Sequence, residues 1–412
     1  MTRPTLKVEF YNAGFTDYAT LTRRITIRRG RQRLLERHQS ASCTIELDAP
    51  NTGTPVGAYL DPASGSGLYG PDTFVVVSCT SPATRRLFAG WVDEWQVAYP
   101  GDDFARVTVT ASGPFKKLSQ VAFPTDTFDN TSATDVDTLL DAFVAYAIGG
   151  GADLGTWVLS SDGSGGQAKE INATGDTLSV CQQLAVDQAD GDFFEEFTND
   201  QTHPIFRFVA RSRRFHPSGF TFTDVSPSPT TSFPYNESAL YSRTTDDFIR
   251  NSVTVTRNGG TAQTATDSTS IASHFIRELS RSTFHTGDAE ASVLAQDLVA
   301  AFKEPPTAEW AQIQLEPDAE DDSDLWALVV DVGYESASSN GPRISDRVTV
   351  TRTTPFATST RQCIVTGYQH DIAPIAEGGW VTTLFLADAE ATKSALILDD
   401  ATAGKLDTGR LG

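Results

Sequence analysis

Short runs of alternating apolar and polar residues, separated by clusters of Gly, Pro, Asp and Ser, dominate the chain. Alternation with a period of two is typical of β-strands that bury one face of a sheet. The strands predicted in this way include Leu6–Phe10, Thr73–Cys79, Arg106–Thr110, Asn251–Thr256, Arg347–Thr351 and Trp380–Leu386. The pattern therefore predicts a mainly β protein.

Apolar residues recur at helical spacing in few segments. Each of these segments has a polar start and a Gly or Pro cluster soon after its end, as helices commonly do. The predicted helices are Ser132–Ile148, Asp176–Ala189 and Asp288–Lys303. The first two lie in the middle of the chain, together with the predicted strands Asp192–Thr198 and Ile205–Ala210, so the middle is predicted to be mixed α/β.

Two parts of the chain repeat one order of elements. A strand is followed by a loop with Pro, a second strand with Gly before an aromatic residue, an acidic exit and a third strand. The second strands contain LFAGWVDE (87–94) and IVTGYQHD (364–371), in which Gly90 and Gly367 indicate a bulge or a bend. This repeat predicts two related β-barrels with the mixed segment inserted between them.

We therefore predict four regions along the chain. They are a first β-barrel over residues 1–120, a mixed α/β insertion over 121–245, a second β-barrel with one helix over 246–394, and a C-terminal extension over 395–412. The end of the insertion, dense in Pro, Ser and Thr, is predicted to lead back into the second barrel.

Charge and cysteine content narrow the classes of function. The 412 residues include 32 Lys and Arg against 53 Asp and Glu, a net charge of −21, which repels free nucleic acid and anionic membranes. No apolar run approaches the ~18 residues of a membrane span, and the N-terminus lacks the apolar segment of a signal peptide. We therefore expect no membrane insertion. The four cysteines form no CxxC pair, which argues against a zinc site and for folding in a reducing compartment.

The motifs that suggest chemistry have the wrong surroundings for it. GSGLYG (65–70) matches a dinucleotide-binding loop, but a strand rather than a helix is predicted after it. The acidic segment 187–192 lacks the alternate spacing of oxygen ligands in a calcium loop. His370 and Asp371 are adjacent in a predicted strand and therefore point to opposite faces. The sequence predicts no catalytic, cofactor-binding or metal-binding residue and no enzymatic activity.

The segment RRITIRRGRQRLLER (23–37) contains seven arginines in an acidic chain. Residues 1–40 include nine basic and three acidic residues, a net charge of +6, which leaves −27 for the remainder. The first half of the segment alternates with strand period and places Ile25, Ile27 and Arg29 on one face. A glycine turn and a second alternating strand follow. The arginines are therefore predicted to belong to paired strands rather than to a flexible basic tail.

Several segments follow one another in an order that covers nearly the whole chain. They are TRRITIRRGRQRLLERHQSASCTIELD (22–48), LFAGWVDEWQVAYP (87–100), IRNSVTVTRNGG (249–260), ISDRVTVTRTTP (344–355), GGWVTTLFLADAE (378–390) and ALILDDATAGKLDTGRLG (395–412). In this order they resemble the minor tail proteins of siphophages that infect actinobacteria. Those proteins are similar to the tail-tip or baseplate hub proteins of tailed phages.

The resemblance implies a homotrimer that closes the end of the tail tube beneath the distal tail protein. Each protomer would contribute two tail-tube-like β-barrels, so that three protomers match a sixfold tube. The resemblance also implies contacts with the tape-measure protein and with tail fibre or receptor-binding proteins. The protein would be assembled in the host cytoplasm and would lie at the distal end of the virion tail. DNA would pass through its lumen without specific binding.

Alternatives stay open for the function and for the arginines. We expect a structural hub; the alternative is a receptor-facing tail protein that binds cell-wall carbohydrate, with or without hydrolase activity. The arginines predicted to lie at protein–protein contacts are Arg28, Arg29, Arg31 and Arg33, because a planar guanidinium binds carboxylates in bidentate fashion. For these arginines the alternatives are a solvated basic face and contact with DNA.

Overall fold

The fold is that of a computed structural model. It describes residues 4–11, 14–32, 36–50, 69–81, 84–101, 104–124, 133–149, 157–161, 167–169, 171, 173, 175–187, 191–197, 206–212, 217–224, 232–243, 246–304, 309–317, 323–333, 340–374 and 379–389.

The first part of the chain is built from strands. A short 3-10 helix (Ala19–Leu21) leads into the third of them. The strands are β1 (Leu6–Tyr11), β2 (Phe15–Asp17), β3 (Thr22–Gly30), β4 (Gln39–Pro50), β5 (Phe74–Cys79), β6 (Arg85–Gly101) and β7 (Phe104–Ser112).

The middle of the chain mixes helices and strands, as predicted. Its elements are α1 (Pro114–Ser119), β8 (Thr134–Asp135), α2 (Val136–Ala147), β9 (Trp157–Ser161), β10 (Gln167–Ala168), α3 (Thr177–Asp187), β11 (Gly191–Phe197), β12 (Phe206–Ser212), β13 (Pro217–Thr223), β14 (Ser232–Pro234), a 3-10 helix (Glu237–Ala239) and β15 (Tyr241–Arg243).

The last part returns to strands, with helices between some of them. Its elements are β16 (Ser252–Arg257), β17 (Gln263–Thr266), α4 (Ser268–His274), β18 (Glu278–Thr283), α5 (Asp288–Phe302), β19 (Glu309–Leu315), α6 (Ser323–Asp331), β20 (Arg347–Thr353), β21 (Thr358–Ile372) and β22 (Trp380–Asp388). Among the helices described, none is long and apolar enough to cross a membrane.

One large sheet contains fourteen of the described strands. Its order is β14-β13-β20-β21-β3-β4-β7-β6-β5-β1-β2, and a branch of β22, β19 and β15 continues from β21. The prediction of a mainly β protein is confirmed. The pairings of the described strands, however, form an open sheet and no closed barrel. The sheet stays continuous because β21, near the end of the chain, pairs with β3, near its start, from Gly367–Gly30 to Ile372–Ile25.

Two meanders within this sheet share one pairing pattern. β6 pairs with β5 through its first half and with β7 through its second half. β21 changes partner in the same way, from β20 to β22. Gly90 and Gly367 lie close to these changes of partner. A Cβ at Gly90 would collide with the backbone oxygen of Ser112, and a Cβ at Gly367 would collide with that of Arg29. The superposition of the two meanders stays a prediction.

The buried apolar side chains of the described residues form three clusters. The main cluster joins strands of the first and last parts, and it also includes Phe194, Phe197 and Val209 from the middle. A second cluster surrounds α2 and α3 and includes Phe193, and a third lies between α5 and β16. The middle segment therefore shares apolar packing with the strands that flank it in sequence. The boundaries of the four regions stay predictions.

Candidate functional site

The first half of the arginine-rich segment, residues 23–30, lies in β3, between β21 and β4 in the large sheet. The strand alternation places Ile25, Ile27 and Arg29 on one face, and all three are buried, with Arg29 only 4% exposed. Gly30 ends the strand at a φ of 87°, opposite Gly367 of β21. A guanidinium is permanently charged, so its burial at this position is costly unless other groups satisfy it.

Arg29 meets groups from three distant parts of the chain. Its Nε donates to the carbonyl oxygen of Glu195 at 2.6 Å. Its Nη1 donates to the hydroxyl of Tyr368 at 2.9 Å and to the carbonyl oxygen of Gly333 at 3.3 Å. The guanidinium also lies 5.3 Å from the ring centroid of Phe197 and 5.6 Å from that of Tyr368. These hydrogen bonds and cation–π contacts fasten β3 to β11 and β21.

Arg31 forms a buried ion pair with Asp192 of β11. The Nη2 of Arg31 lies 2.9 Å from Oδ1 of Asp192, and the two side chains are 4% and 2% exposed. The same carboxylate accepts a hydrogen bond from Ser345 Oγ at 2.7 Å and lies 3.2 Å from Nε2 of His38. Asp192 therefore brings together groups that are far apart in sequence, since Arg31 is 161 residues away along the chain.

Glu195 is a second buried acid on β11. Its two carboxylate oxygens accept the backbone N–H groups of Ala41 and Phe115, the latter at 2.7 Å. Burial raises the pKa of Glu195 to about 7, because the apolar surroundings disfavour its charged form more than the two N–H groups favour it. A side chain at Gly113 would lie 2.5 Å from Oε1 of Glu195, so this glycine makes room for the acid.

His370 of β21 is buried and neutral. Its Nδ1 lies 2.8 Å from the hydroxyl of Thr382 and accepts the indole N–H of Trp380 at 3.3 Å. Burial lowers the pKa of His370 to about 3, and the positive charge of Arg29 lowers it further in the same direction. Asp371 is directed elsewhere and accepts a hydrogen bond from a threonine of β3. The two side chains are therefore not placed as a base with an orienting carboxylate.

We call the set of buried polar groups around Arg29 and Arg31 the arginine joint. Sequence reasoning did not find the acidic half of it. The available signal for Glu195 was FFEEF (193–197), in which two acids interrupt an otherwise apolar strand and would need partners if buried. This motif does not include Asp192. The members of the joint are Arg29, Arg31, Asp192, Glu195 and Tyr368.

The four predicted contact residues have different surroundings. Arg29 and Arg31 are buried within the chain, whereas Arg28 is half-buried and its guanidinium lies 5.5 Å from the ring centroid of Phe385. Arg33 lies outside the described residues. Their placement at contacts between proteins stays a prediction.

Within the described ranges, no group of three or more His, Cys, Asp and Glu side chains is placed to hold a metal ion. Three residues of the acidic segment 187–192, and most of GSGLYG (65–70), lie outside those ranges. The four cysteines are buried as thiols.

Comparisons with known proteins identify the fold. No protein-family model and no curated protein matches the sequence. A tail protein from Neisseria meningitidis MC58 is similar in structure, with a TM-score of 0.58 and 10% identity over 93% of this chain and 97% of that chain. The 43 kDa tail protein of prophage MuSo2 from Shewanella oneidensis has a TM-score of 0.57 and 12% identity over 95% of this chain and 99% of that chain. The chain therefore has the fold of phage tail proteins along almost its whole length.

Proposed function

We propose that this chain is the structural hub of a siphophage tail tip, of the kind found in minor tail proteins of phages that infect actinobacteria. It would be a trimeric adapter between the tail tube with its distal tail protein and the proteins of the tip or fibres. The observation that carries the proposal is the likeness to two tail proteins over more than nine-tenths of each chain, rather than over one module. The hub works through contacts and not as an enzyme.

The two meanders support the adapter role. Each has a long central strand that changes its partner halfway, although the two lie in different parts of the sequence. Two such units in each of three copies give six units, the number that continues a sixfold tube. We propose that each meander belongs to a tail-tube-like β-barrel in the assembled ring.

The arginine joint supports the same role, because an adapter must hold its two units in a fixed relation. Arg29 of β3 and Arg31, which directly follows β3, connect the predicted first barrel region to β11, and Arg29 also contacts Tyr368 of the second meander. Buried charged groups tolerate little displacement, since each loses its partner when the other moves. We propose that the joint holds the two units in a fixed relation.

The charge of the chain suits a passage for DNA. Three copies would carry a formal net charge of −63 (3 × −21), which repels phosphates. Contacts from Lys and Arg to phosphates would add affinity and slow the DNA. Two arginines of the most basic segment are buried and cannot make such contacts. We propose that DNA passes through the lumen without specific binding.

The proposed partners follow from this position. The ring would contact the distal tail protein on one side, and the tape-measure protein and tail fibre or receptor-binding proteins on the other. It would be assembled in the host cytoplasm and remain at the distal end of the tail in the virion.

Electron cryomicroscopy of intact tails tests the proposal. We expect three copies in one ring at the distal end of the tube. Six or twelve copies, or copies along the shaft, would contradict the adapter role. A binding assay of the isolated protein with cell-wall glycans tests the carbohydrate alternative, because a hub should show no saturable sugar binding.

A further inference from the structure

The hairpin between β20 and β21 projects from the protein, and we call residues 353–360 the hairpin arm. All eight residues are exposed, on both faces of the hairpin. Phe356 at the tip is 96% exposed, more than any other large apolar side chain that the structure describes. An isolated two-stranded hairpin is only marginally stable in water, and aromatic residues are enriched where proteins meet. These properties favour a contact with another chain.

The hairpin arm is ordered at its base and at its tip. At the base, Nη1 of Arg352 lies 3.5 Å from Asp224, whose oxygens also accept the backbone N–H of Thr353 at 2.7 and 3.0 Å. At the tip, the hydroxyl of Thr354 accepts the N–H of Ala357 at 3.1 Å. An arm that is ordered before it binds loses less conformational freedom when it binds.

A suitable receiving surface lies at the end of the same sheet. Among the strands that the structure describes, β2 is the terminal one there, and all three of its residues are exposed. Phe15 of β2 is 51% exposed and Tyr11 of β1 is 49% exposed, and their ring centroids are 5.2 Å apart. An edge strand offers unpaired N–H and C=O groups to an incoming strand. We call Tyr11, Phe15 and β2 the aromatic edge.

The hairpin arm and the aromatic edge belong to strands that are far apart in the sheet. Six strands separate β21 from β2 in the sheet order. A contact between them would therefore join different copies head to tail. Contacts of this kind close into a ring when the rotation from copy to copy divides a full turn.

Charge favours a second copy of this chain as the partner. Copies with a net charge of −21 repel one another, so they associate best through surfaces without charge. The hairpin arm (TTPFATST) has no charged residue. In the aromatic edge the only charged residue is Asp17, whose carboxylate accepts the backbone N–H groups of Val8 and Ala19 in the same copy. A basic partner would instead be drawn to the acidic surfaces of the chain.

We propose that the hairpin arm of one copy docks on the aromatic edge of the next copy. Phe356 packs against Tyr11 and Phe15, and the arm continues the sheet of its neighbour as an added strand. This inference rests on the proposed hub function, which supplies the ring, and it names the surfaces through which the copies meet.

Disulfide trapping between single-cysteine variants tests this contact. Phe356→Cys and Phe15→Cys proteins, one with a size tag, are mixed at high concentration and oxidised. The native cysteines are buried, so they should not react in the folded protein. Tyr99→Cys replaces Phe15→Cys in the matched control, because Tyr99 is an aromatic residue of β6 that is 63% exposed but lies outside the aromatic edge.

We expect about tenfold more mixed dimer from the Phe356→Cys and Phe15→Cys pair than from the control pair. Phe356→Ala should also shift the sedimentation profile of the full chain towards monomer. Equal yields from the two pairs, or no mixed dimer, would overturn the proposed contact. The copy number at the tail tip decides the hub function separately, so a hub without this contact would be recognised as such.

Discussion

Replacing Asp192 by Asn should lower the free energy of unfolding by about 3–5 kcal/mol, the cost typical of removing one partner from a buried ion pair. The pair qualifies because Asp192 and Arg31 are 2% and 4% exposed, so water cannot replace the lost carboxylate. The substitution keeps the size of the side chain and creates no cavity. It leaves the guanidinium of Arg31 without its carboxylate, and it weakens the hydrogen bond from Ser345.

The same substitution at a solvated ion pair serves as the control. Asp48 lies 3.1 Å from Arg106, and their side chains are 42% and 37% exposed. Surface pairs of this kind contribute about 0–1 kcal/mol, so Asp48→Asn should be close to neutral.

Urea unfolding followed by tryptophan fluorescence measures both variants against the unsubstituted protein. A loss of stability confined to Asp192→Asn is the expected result. If the two variants unfold at the same urea concentration, the buried pair does not hold β3 to β11, and the account of the arginine joint is wrong.

Four further predictions concern pH, packing and assembly. Because the pKa of Glu195 is raised, the folded protein keeps a proton on this residue between pH 4.5 and about 7, whereas the unfolded chain has lost it. The free energy of unfolding therefore falls as pH rises through that window. Glu195→Gln should remove this fall. The lowered pKa of His370 acts in the opposite direction, because below pH 6.5 this histidine gains a proton in the unfolded chain before it does so in the folded protein. The free energy of unfolding therefore falls on acidification towards about pH 3. His370→Gln should reduce that loss. Urea titrations of these variants from about pH 4 to about pH 8 check both slopes, and slopes equal to those of the unsubstituted protein would count against the assignments. Gly367→Ala should lower the free energy of unfolding by about 1–3 kcal/mol, because the new Cβ would lie 2.5 Å from a carbonyl oxygen of β3. Gly14→Ala is the control and should be neutral, since a Cβ at Gly14 has nothing within 4 Å. Similar melting temperatures of the two variants would contradict this prediction. Arg28→Glu should keep the fold, since the side chain is only half-buried, yet reduce incorporation into tails as measured by immunoblot; normal incorporation would argue against a contact at this residue.

Local pattern was enough to predict much of the fold. The alternation in β3 correctly grouped Arg29 with Ile25 and Ile27, and the three predicted helices are present as α2, α3 and α5. Helix α6 gave no amphipathic signal, because LWALVV (325–330) is apolar on every side. Most of these residues are buried in the main cluster, so the helix has little polar face to reveal its period.

The arginine joint was beyond the reach of sequence patterns. Arg31 and Asp192 are separated by 161 residues, and neither local spacing nor composition pairs them. β11 was predicted as a strand, but the pattern does not show that it lies between two apolar clusters, with Phe194 in one and Phe193 in the other. Because β11 is buried on both faces, its acidic side chains form ion pairs and hydrogen bonds inside the protein. The open sheet, rather than two separate barrels, likewise depends on a pairing between the two ends of the chain.

That pairing has a mechanical consequence for a tail. β21 and β3 are joined at six consecutive residue pairs, from Gly367–Gly30 to Ile372–Ile25. Force applied to one half of the chain is therefore carried into the other half through backbone hydrogen bonds that load together. If copies of the chain form the proposed ring, each copy would keep its shape along this line when the ring is under load.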